Sequence, residues 1–270
     1  MRIAAGVIFY NPTQDNLDNL INLLKYVDFL FIYDNSVQKN IGEIDDLIPS
    51  DKYAYYHNGD NEGISKSFNF IFKEAALKGI NYVLLLDQDS VVLSKQSIDI
   101  RDDLKKYKAN NFCLDVYLSK KEKNESNFKI TSGMIIKTEF FLNVKGYDEN
   151  IFIDGVDHDY CIRMINLKEP ILPLKGIYLN QHLGNGVKNL LGIYEHSSIR
   201  NYYIFRNRLY LAKKHSSYYK GLVKLRFVYL SIIKQLLSIL LLESNKMEKL
   251  LYIRKAFKDF KNQRFGKIKG

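Results

Sequence analysis

Residues 82–86, Tyr-Val-Leu-Leu-Leu, form an unbroken apolar run that stops against two carboxylates, Asp87 and Asp89. A strand that is apolar on both faces must be covered on both, the condition of a parallel sheet clothed by helices. The same signature appears upstream. "RIAAGVIFY", "VDFLFIYDN" and "KYAYYHN" read as three further strands. Between the strands lie helix-length stretches: "TQDNLDNLINLLKYV", opened by Thr13 with Leu17, Leu20, Ile21 and Leu24 on one face, and "GISKSFNFIFKEAALKG", closed by Gly79. Strand and helix alternating in this way predict a doubly wound α/β architecture with a mostly parallel sheet flanked by helices.

Such sheets bind ligands beyond the carboxyl ends of their strands. That rule gathers "YDN" (33–35), "HNGDNEG" (57–63) and "DQDS" (87–90) at one rim. Residues 95–150 are less regular, with a lysine-rich loop "SKKEKNESN" (119–127) and an expected strand "FKITSGMIIK". From about residue 196 the pattern is helical. We expect a catalytic domain over residues 1–215 and a basic helical extension over 216–270.

With 270 residues and 46% hydrophobic content, the chain can bury a large core, which excludes bulk disorder. Cys113 and Cys161 have no Cys-x-x-Cys spacing, so neither a disulfide framework nor a zinc site is expected and a reducing, cytoplasmic setting fits. The opening "MRIAAGVIFYNP" reads as a buried strand rather than a secretory signal. Net charge is +10 and unevenly placed: residues 200–270 hold 18 Lys and Arg against 3 Asp and Glu. An excess of this kind points to an anionic surface as partner.

A carboxylate at a buried strand end is costly unless paired, hydrogen-bonded or metal-bound. Asp87 and Asp89 repel each other, and a hard divalent cation such as Mn²⁺ or Mg²⁺, shared with phosphate oxygens, relieves the conflict. The competing reading is a solvated Asp-x-Asp turn. "YDNS" and "NGDNEGISKSFN" offer carboxylate, amide and backbone N–H groups suited to a nucleotide, or simply Asx turns and a helix cap.

A second acidic group, "FIDGVDHDYCIRM", sets Asp154, Asp157 and Asp159 at the start of a helix, where the dipole favours them, with Asp159 and Arg163 spaced as an i,i+4 pair. Asp157 falls on a face that also carries apolar side chains, a setting suited to a general base. His182 follows a strand in the Gly-flanked loop "YLNQHLGNG". Alone it reads as structural; within a metal site it would be a third ligand.

Taken in order from residue 1 to about 212, "VIFYNP", "FIYDNS", "NGDNEGISKSFN", "VLLLDQDS", "TSGMIIK", "FIDGVDHDYCIR", "HLG" and "RNYYIFRN" resemble the family 2 glycosyltransferases of GT-A fold, and within them the bacterial rhamnosyltransferase-like branch. The resemblance implies that Tyr10, Asp34, Asp60 and Asn61 line the nucleotide pocket, that Asp87 lies near ribose and metal, and that Asp89 ligates the Mn²⁺ or Mg²⁺ on the diphosphate. It makes Asp157 the catalytic base and brings His182 toward the diphosphate or metal. It leaves Arg200 open to neutralising leaving-group phosphate or to a structural pairing. Many members carry Glu-Asp where this chain has Val156-Asp157, and the displaced acid, Asp154, becomes an acceptor-side candidate. The implied reaction is inverting transfer of a hexosyl group, L-rhamnose from dTDP-rhamnose, to a surface glycan or lipid-linked oligosaccharide. Galactosyl, glucosyl or furanosyl donors on UDP are the alternative.

"KGLVKLRFVYLSIIKQLLSILLLES" (220–244) is apolar but interrupted by Lys224, Arg226 and Lys234, which argues against a spanning helix. Lys220, Lys224, Ser231, Gln235 and Ser238 recur at helical spacing and leave a wide apolar face, either packed on the domain or laid in an anionic membrane interface at the inner face of the cell membrane. A sugar nucleotidyltransferase would need a Gly-rich basic loop after the first strand, which "AAGVIFYNPTQDN" lacks. A basic, non-catalytic binding module is the reading from another class. No nucleic-acid motif is present, and nucleic acid is not an expected partner.

Overall fold

The computed structural model describes residues 1–94, 99–116, 128–181 and 195–269. The lysine-rich loop at 119–127 and His182 lie outside them. By contacts the chain divides into two compact units, Met1–Asp148 with Arg163–His182, and Glu149–Ile162 with Leu183–Gly270.

In the first unit, Ile3–Phe9 (β1), Gln14–Leu23 (α1), Phe29–Asp34 (β2), Ile41–Asp45 (α2), Tyr53–His57 (β3), Gly63–Leu77 (α3), Tyr82–Asp87 (β4), Ser90–Ser94 (β5), Ile100–Tyr107 (α4), Asn111–Val116 (β6), Met134–Lys137 (β7) and Thr138–Asn143 (α5) follow one another. Val156–Leu167 (α6) begins in the second unit, and Ile171–Gln181 (β8) completes the sheet. The strand order is β3-β2-β1-β4-β7-β6-β8-β5.

The four strands β3-β2-β1-β4 are parallel, as their apolar runs predict. The other half is mixed: β7 is antiparallel to both β4 and β6, β6 is parallel to β8, and β5 is antiparallel to β8. The expected strand "FKITSGMIIK" is shorter, Met134–Lys137, and runs against β4. The short elements α2, β5, α4 and β6 carry too few periodic residues to announce themselves.

Both faces of the central strands are covered. Ile3, Ala5, Val7 and Phe9 of β1 share one core with Leu17, Leu20 and Leu23 of α1. On the other face, a Cβ on Gly6 would lie 3.1 Å from Ile71 Cγ2, so α3 packs against β1 where glycine leaves room. The edge strand β5 is guarded in a specific way. Asn16, Asn19 and Asn22, one helical turn apart on α1, donate their amides to the carbonyls of Gln88 (3.1 Å), Ser90 (2.7 Å) and Val92 (3.3 Å). A helix face thereby occupies acceptors that an edge would otherwise leave open.

The second unit is helical: Ser198–Lys214 (α7), a helix over Gly221–Leu242 whose Leu225–Leu230 segment is wound as a π-helix, and a last helix, Lys246–Lys261. Ser197 caps α7, its Oγ accepting from Arg200 N at 3.2 Å. Tyr202, Tyr203 and Phe205 of α7 form a core with Ile239, Ile253 and Ala256.

The Gly221–Leu242 helix buries two polar residues beside Val228 and Ile239 and leaves many of its leucines and isoleucines outside. Gln235 and Ser238 are buried, while Leu230, Ile233, Leu237 and Leu241 are 50, 51, 43 and 66% exposed. Gln235 donates to Asn201 Oδ1 at 2.8 Å and accepts from Arg208 Nη1 at 2.9 Å. Ser238 donates to Glu243, which pairs with the buried Lys249 at 2.9 Å. Of the polar stripe read from the sequence, Gln235 and Ser238 thus face inward, whereas Lys220 and Lys224 are exposed and Ser231 is half-buried. Lys224, Arg226 and Lys234 all fall within this helix, which by length and composition alone is nevertheless long and apolar enough to cross a membrane.

Candidate active site

Parallel register sets the rim of the first unit. Phe9 pairs with Asp34 and Asp34 with His57, while Asp87 lies beside Ile8, so β1–β4 end at one level. Tyr10, Asp34, Asp60, Asn61, Asp87 and Asp89 all sit at or just beyond those ends.

Asp34 is fully buried and satisfied from within. Its carboxylate accepts from Ser36 N (2.9 Å), from Asn40 Nδ2 (2.8 Å) and from the Tyr55 hydroxyl. Burial alone would raise its pKa; the bonds from Ser36, Tyr55 and Asn40 outweigh that and hold it below the ordinary value. What Asp34 presents to the rim is therefore the 35–40 loop it pins. His57 Nε2 adds a bond to Ser36 O at 3.0 Å.

Asp60 and Asn61 shape the entry to α3. Asp60 Oδ1 accepts from Asn61 N at 2.9 Å, and Asn61 Oδ1 accepts from Gly63 N at 2.9 Å. Gly59 and Gly63, at φ +79° and +80°, provide the left-handed backbone this loop needs. Glu62 N donates to Asn35 Oδ1 at 3.0 Å and the Glu62 carboxylate accepts from the Tyr33 hydroxyl, tying the loop to the end of β2.

The carboxylate turn is clamped from several sides. Gln88 Oε1 accepts from Tyr10 N at 2.7 Å and Gln88 Nε2 donates to Tyr10 O at 3.3 Å. Asp87 N donates to Ser132 Oγ at 3.1 Å, and Ser132 and Ser90 share a bond at 2.8 Å. Tyr10 is 53% exposed. Asp87 and Asp89 are half-buried, and among the described residues no group of three or more His, Cys, Asp or Glu stands ready to hold a metal ion. Two carboxylates one residue apart suit a hard cation whose remaining ligands are phosphate oxygens and water.

In the second unit, Asp154 precedes α6, whose first turn holds only Asp157 and Asp159 of the three acids. It adopts φ +58° ahead of α6, with Gly155 at +109°, and Asn207 Nδ2 fixes this turn by donating to Ile153 O (2.7 Å) and Asp154 O (3.0 Å). Arg200 Nη2 and Nε donate to Asp154 Oδ1 at 3.2 and 3.3 Å. Asp154 Oδ2 is buried and has no hydrogen-bond partner among the described residues. Burial raises the Asp154 pKa in spite of Arg200.

Asp157 opens α6 with its side chain 28% exposed, Oδ1 accepting from His158 N at 2.8 Å. Asp154, Asp157, His158, Arg208 and Phe227 line a cavity of about 260 Å³. Burial lowers the Arg208 pKa to about 10. Asp159 is 1% exposed and bound by Lys214 at 2.6 Å and His215 at 2.7 Å, tying the start of α6 to the end of α7.

Sequence reasoning passed over Gln88, Tyr55, Glu62 and Asn207. Gln88 lies inside the quoted "DQDS", but a neutral amide between two acids gives no signal of its own.

Comparison with known proteins supplies independent findings. The glycosyl transferase family 2 model matches residues 5–167. The dTDP-rhamnosyl transferase RfbF of Shigella flexneri is 28% identical over 273 residues, covering 91% of this chain and 90% of that protein. Among solved structures, S. aureus TarS 1–349 in complex with UDP-GlcNAc gives a TM-score of 0.60 at 14% identity, covering 96% of this chain and 80% of that one. TarS 1–349 in complex with UDP gives 0.53 at 12% identity, covering 96% and 71%.

Proposed function

The chain belongs to glycosyl transferase family 2 and has the GT-A fold, and from that premise we propose that it transfers L-rhamnose from dTDP-rhamnose, with inversion, to a hydroxyl of a bacterial surface glycan or lipid-linked oligosaccharide. The observation that carries the choice of donor is the end-to-end likeness to a dTDP-rhamnosyl transferase, spanning nine-tenths of both chains.

In this reading the exposed Tyr10 and the loop pinned by Asp34 receive the nucleoside, with Asp60 and Asn61 shaping the neighbouring turn. Asp87 and Asp89 would hold Mn²⁺ or Mg²⁺, with His182 as a further ligand. Such a cation, when bound, neutralises charge on the departing diphosphate. Asp157 takes the proton of the acceptor hydroxyl as that oxygen attacks the anomeric carbon opposite the phosphate; the C–O bond forms as the sugar–phosphate bond breaks. Single displacement inverts the anomeric centre. Arg200 divides its charge between Asp154 and the leaving group, and Asp154 borders the acceptor.

We assign catalysis to residues 1–215 and membrane attachment to 216–270, on the cytoplasmic face. The outward-facing leucines and isoleucines support this, since water-facing apolar rows on a helix with a buried polar stripe suit a lipid interface.

Purified protein with Mn²⁺ should convert dTDP-rhamnose to dTDP in the presence of acceptor glycan; Asp89→Ala should abolish turnover and Asp157→Asn should lower it about 10²–10⁴-fold. Turnover with UDP-sugars but not dTDP-rhamnose would retain the enzyme class and discard rhamnose.

A further inference from the structure

The last helix and the residues after it line a second concavity, of about 980 Å³, within the range of ligand sites. Seven of its thirteen lining residues are Lys or Arg and one, Asp259, is acidic. That acid is buried and engaged: it accepts from Tyr202 Oη at 2.8 Å and has Arg264 at 3.9 Å. Arg206, 1% exposed, is spent internally on Tyr202 Oη (3.1 Å), Asn207 Oδ1 and Gly266 O (2.8 Å). The side chains of Arg254 and Lys258 have no ion-pair or hydrogen-bond partner among the described residues.

The closing segment is pinned rather than loosely laid. Gly266 N donates to Asn150 O at 2.8 Å, Ile268 N donates to Tyr203 Oη at 2.9 Å, and Lys255 Nζ donates to Lys269 O at 2.6 Å. These bonds hold Lys267 and Lys269 in the same wall as Lys255. Folding thus brings like charges together around a hollow, an arrangement that a multivalent anion stabilises and that solvent alone opposes. Six Lys and Arg besides the engaged Arg206 on one concavity match a compact anion better than the long groove a nucleic-acid strand requires.

We propose that this basin, between the Lys246–Lys261 helix and residues 263–269, is a binding site for a phosphate or diphosphate group, carried either by a lipid headgroup or by a soluble molecule. The proposal does not depend on the donor sugar or on turnover.

The full chain, kept in EDTA so that metal-dependent binding elsewhere is silent, is titrated with inorganic pyrophosphate and with phosphatidylcholine vesicles containing 0 or about 30% phosphatidylglycerol. Arg254→Gln/Lys258→Gln is compared with Lys105→Gln/Lys106→Gln, which removes the same charge from the exposed face of α4. The basin variant should lose at least about tenfold in affinity while the α4 variant keeps it. Melting temperature in low salt checks folding and should be unchanged or higher in the basin variant, because it relieves repulsion. Loss confined to anionic vesicles identifies a headgroup, and loss of pyrophosphate binding identifies a soluble phosphate. Equal losses in both variants, no binding of either probe, or preference for single-stranded DNA would overturn the site.

Discussion

Gln88 holds Tyr10 by both backbone groups, accepting from its N–H at 2.7 Å and donating to its carbonyl at 3.3 Å. One side-chain amide thereby joins the aromatic at the end of β1 to the turn that carries Asp87 and Asp89. Gln88→Glu keeps the acceptor, loses the donor and adds a third negative charge. Donor KM should rise about tenfold, worth ~1.4 kcal/mol, with a smaller change in kcat. Initial rates over a donor series check this; an unchanged KM would dissociate the clamp from donor binding.

Asp34 should report through acid stability. Its pKa is depressed in the folded protein, so its contribution is present above the unfolded-state value and is lost as pH falls through the folded one. Asp34→Asn should cost about 1.5–3 kcal/mol at neutral pH, in the range of charge-assisted hydrogen bonds, and flatten the loss of stability below about pH 4. Urea melts from pH 3 to 7 test both.

Asp154 has the opposite sign. Burial raises its pKa, so ionisation costs stability as pH rises from the unfolded-state value toward the folded one. Asp154→Asn should therefore leave stability at neutral pH unchanged or higher, whereas Asp157→Asn should lower kcat by about 10²–10⁴ with little change in stability. Equal kinetic loss in both would make Asp154 a partner in proton transfer.

The Gly221–Leu242 helix, with Gln235 buried and several leucines exposed, separates stability from attachment. Leu237→Gln and Leu241→Gln alter exposed positions and should change folding free energy by no more than about 0.5 kcal/mol while weakening binding to anionic vesicles. Gln235→Leu, which strands Asn201 and Arg208, should cost about 1–3 kcal/mol. Chemical denaturation beside vesicle co-sedimentation gives both readouts.

These residues also show how far sequence reaches. β1, β2 and β4 were legible because continuous apolar runs require cover on both faces, and parallel strands with one rim followed. The antiparallel half was not: β5 and β6 span few residues and pair with partners far along the chain. Asp34 announced a rim position, but its burial depends on Tyr55 and Asn40, which no local pattern joins to it. The stripe of Gln235 and Ser238 was visible as a stripe, yet periodicity separates two faces without saying which is inside.

The two-residue turn Gln88–Asp89 joins a central strand to a strand at the sheet's far edge; Asn16 of α1 holds the turn, and the edge strand is gripped on one side by β8 and on the other by Asn19 and Asn22. Chain length between the carboxylates and that edge is therefore a fixed quantity. One inserted residue would exchange the buried Val92 for Val91 and shift the asparagines off their carbonyls. The spacing at this turn is thereby held by the sheet edge and by α1 together, independently of which side chain stands at 88.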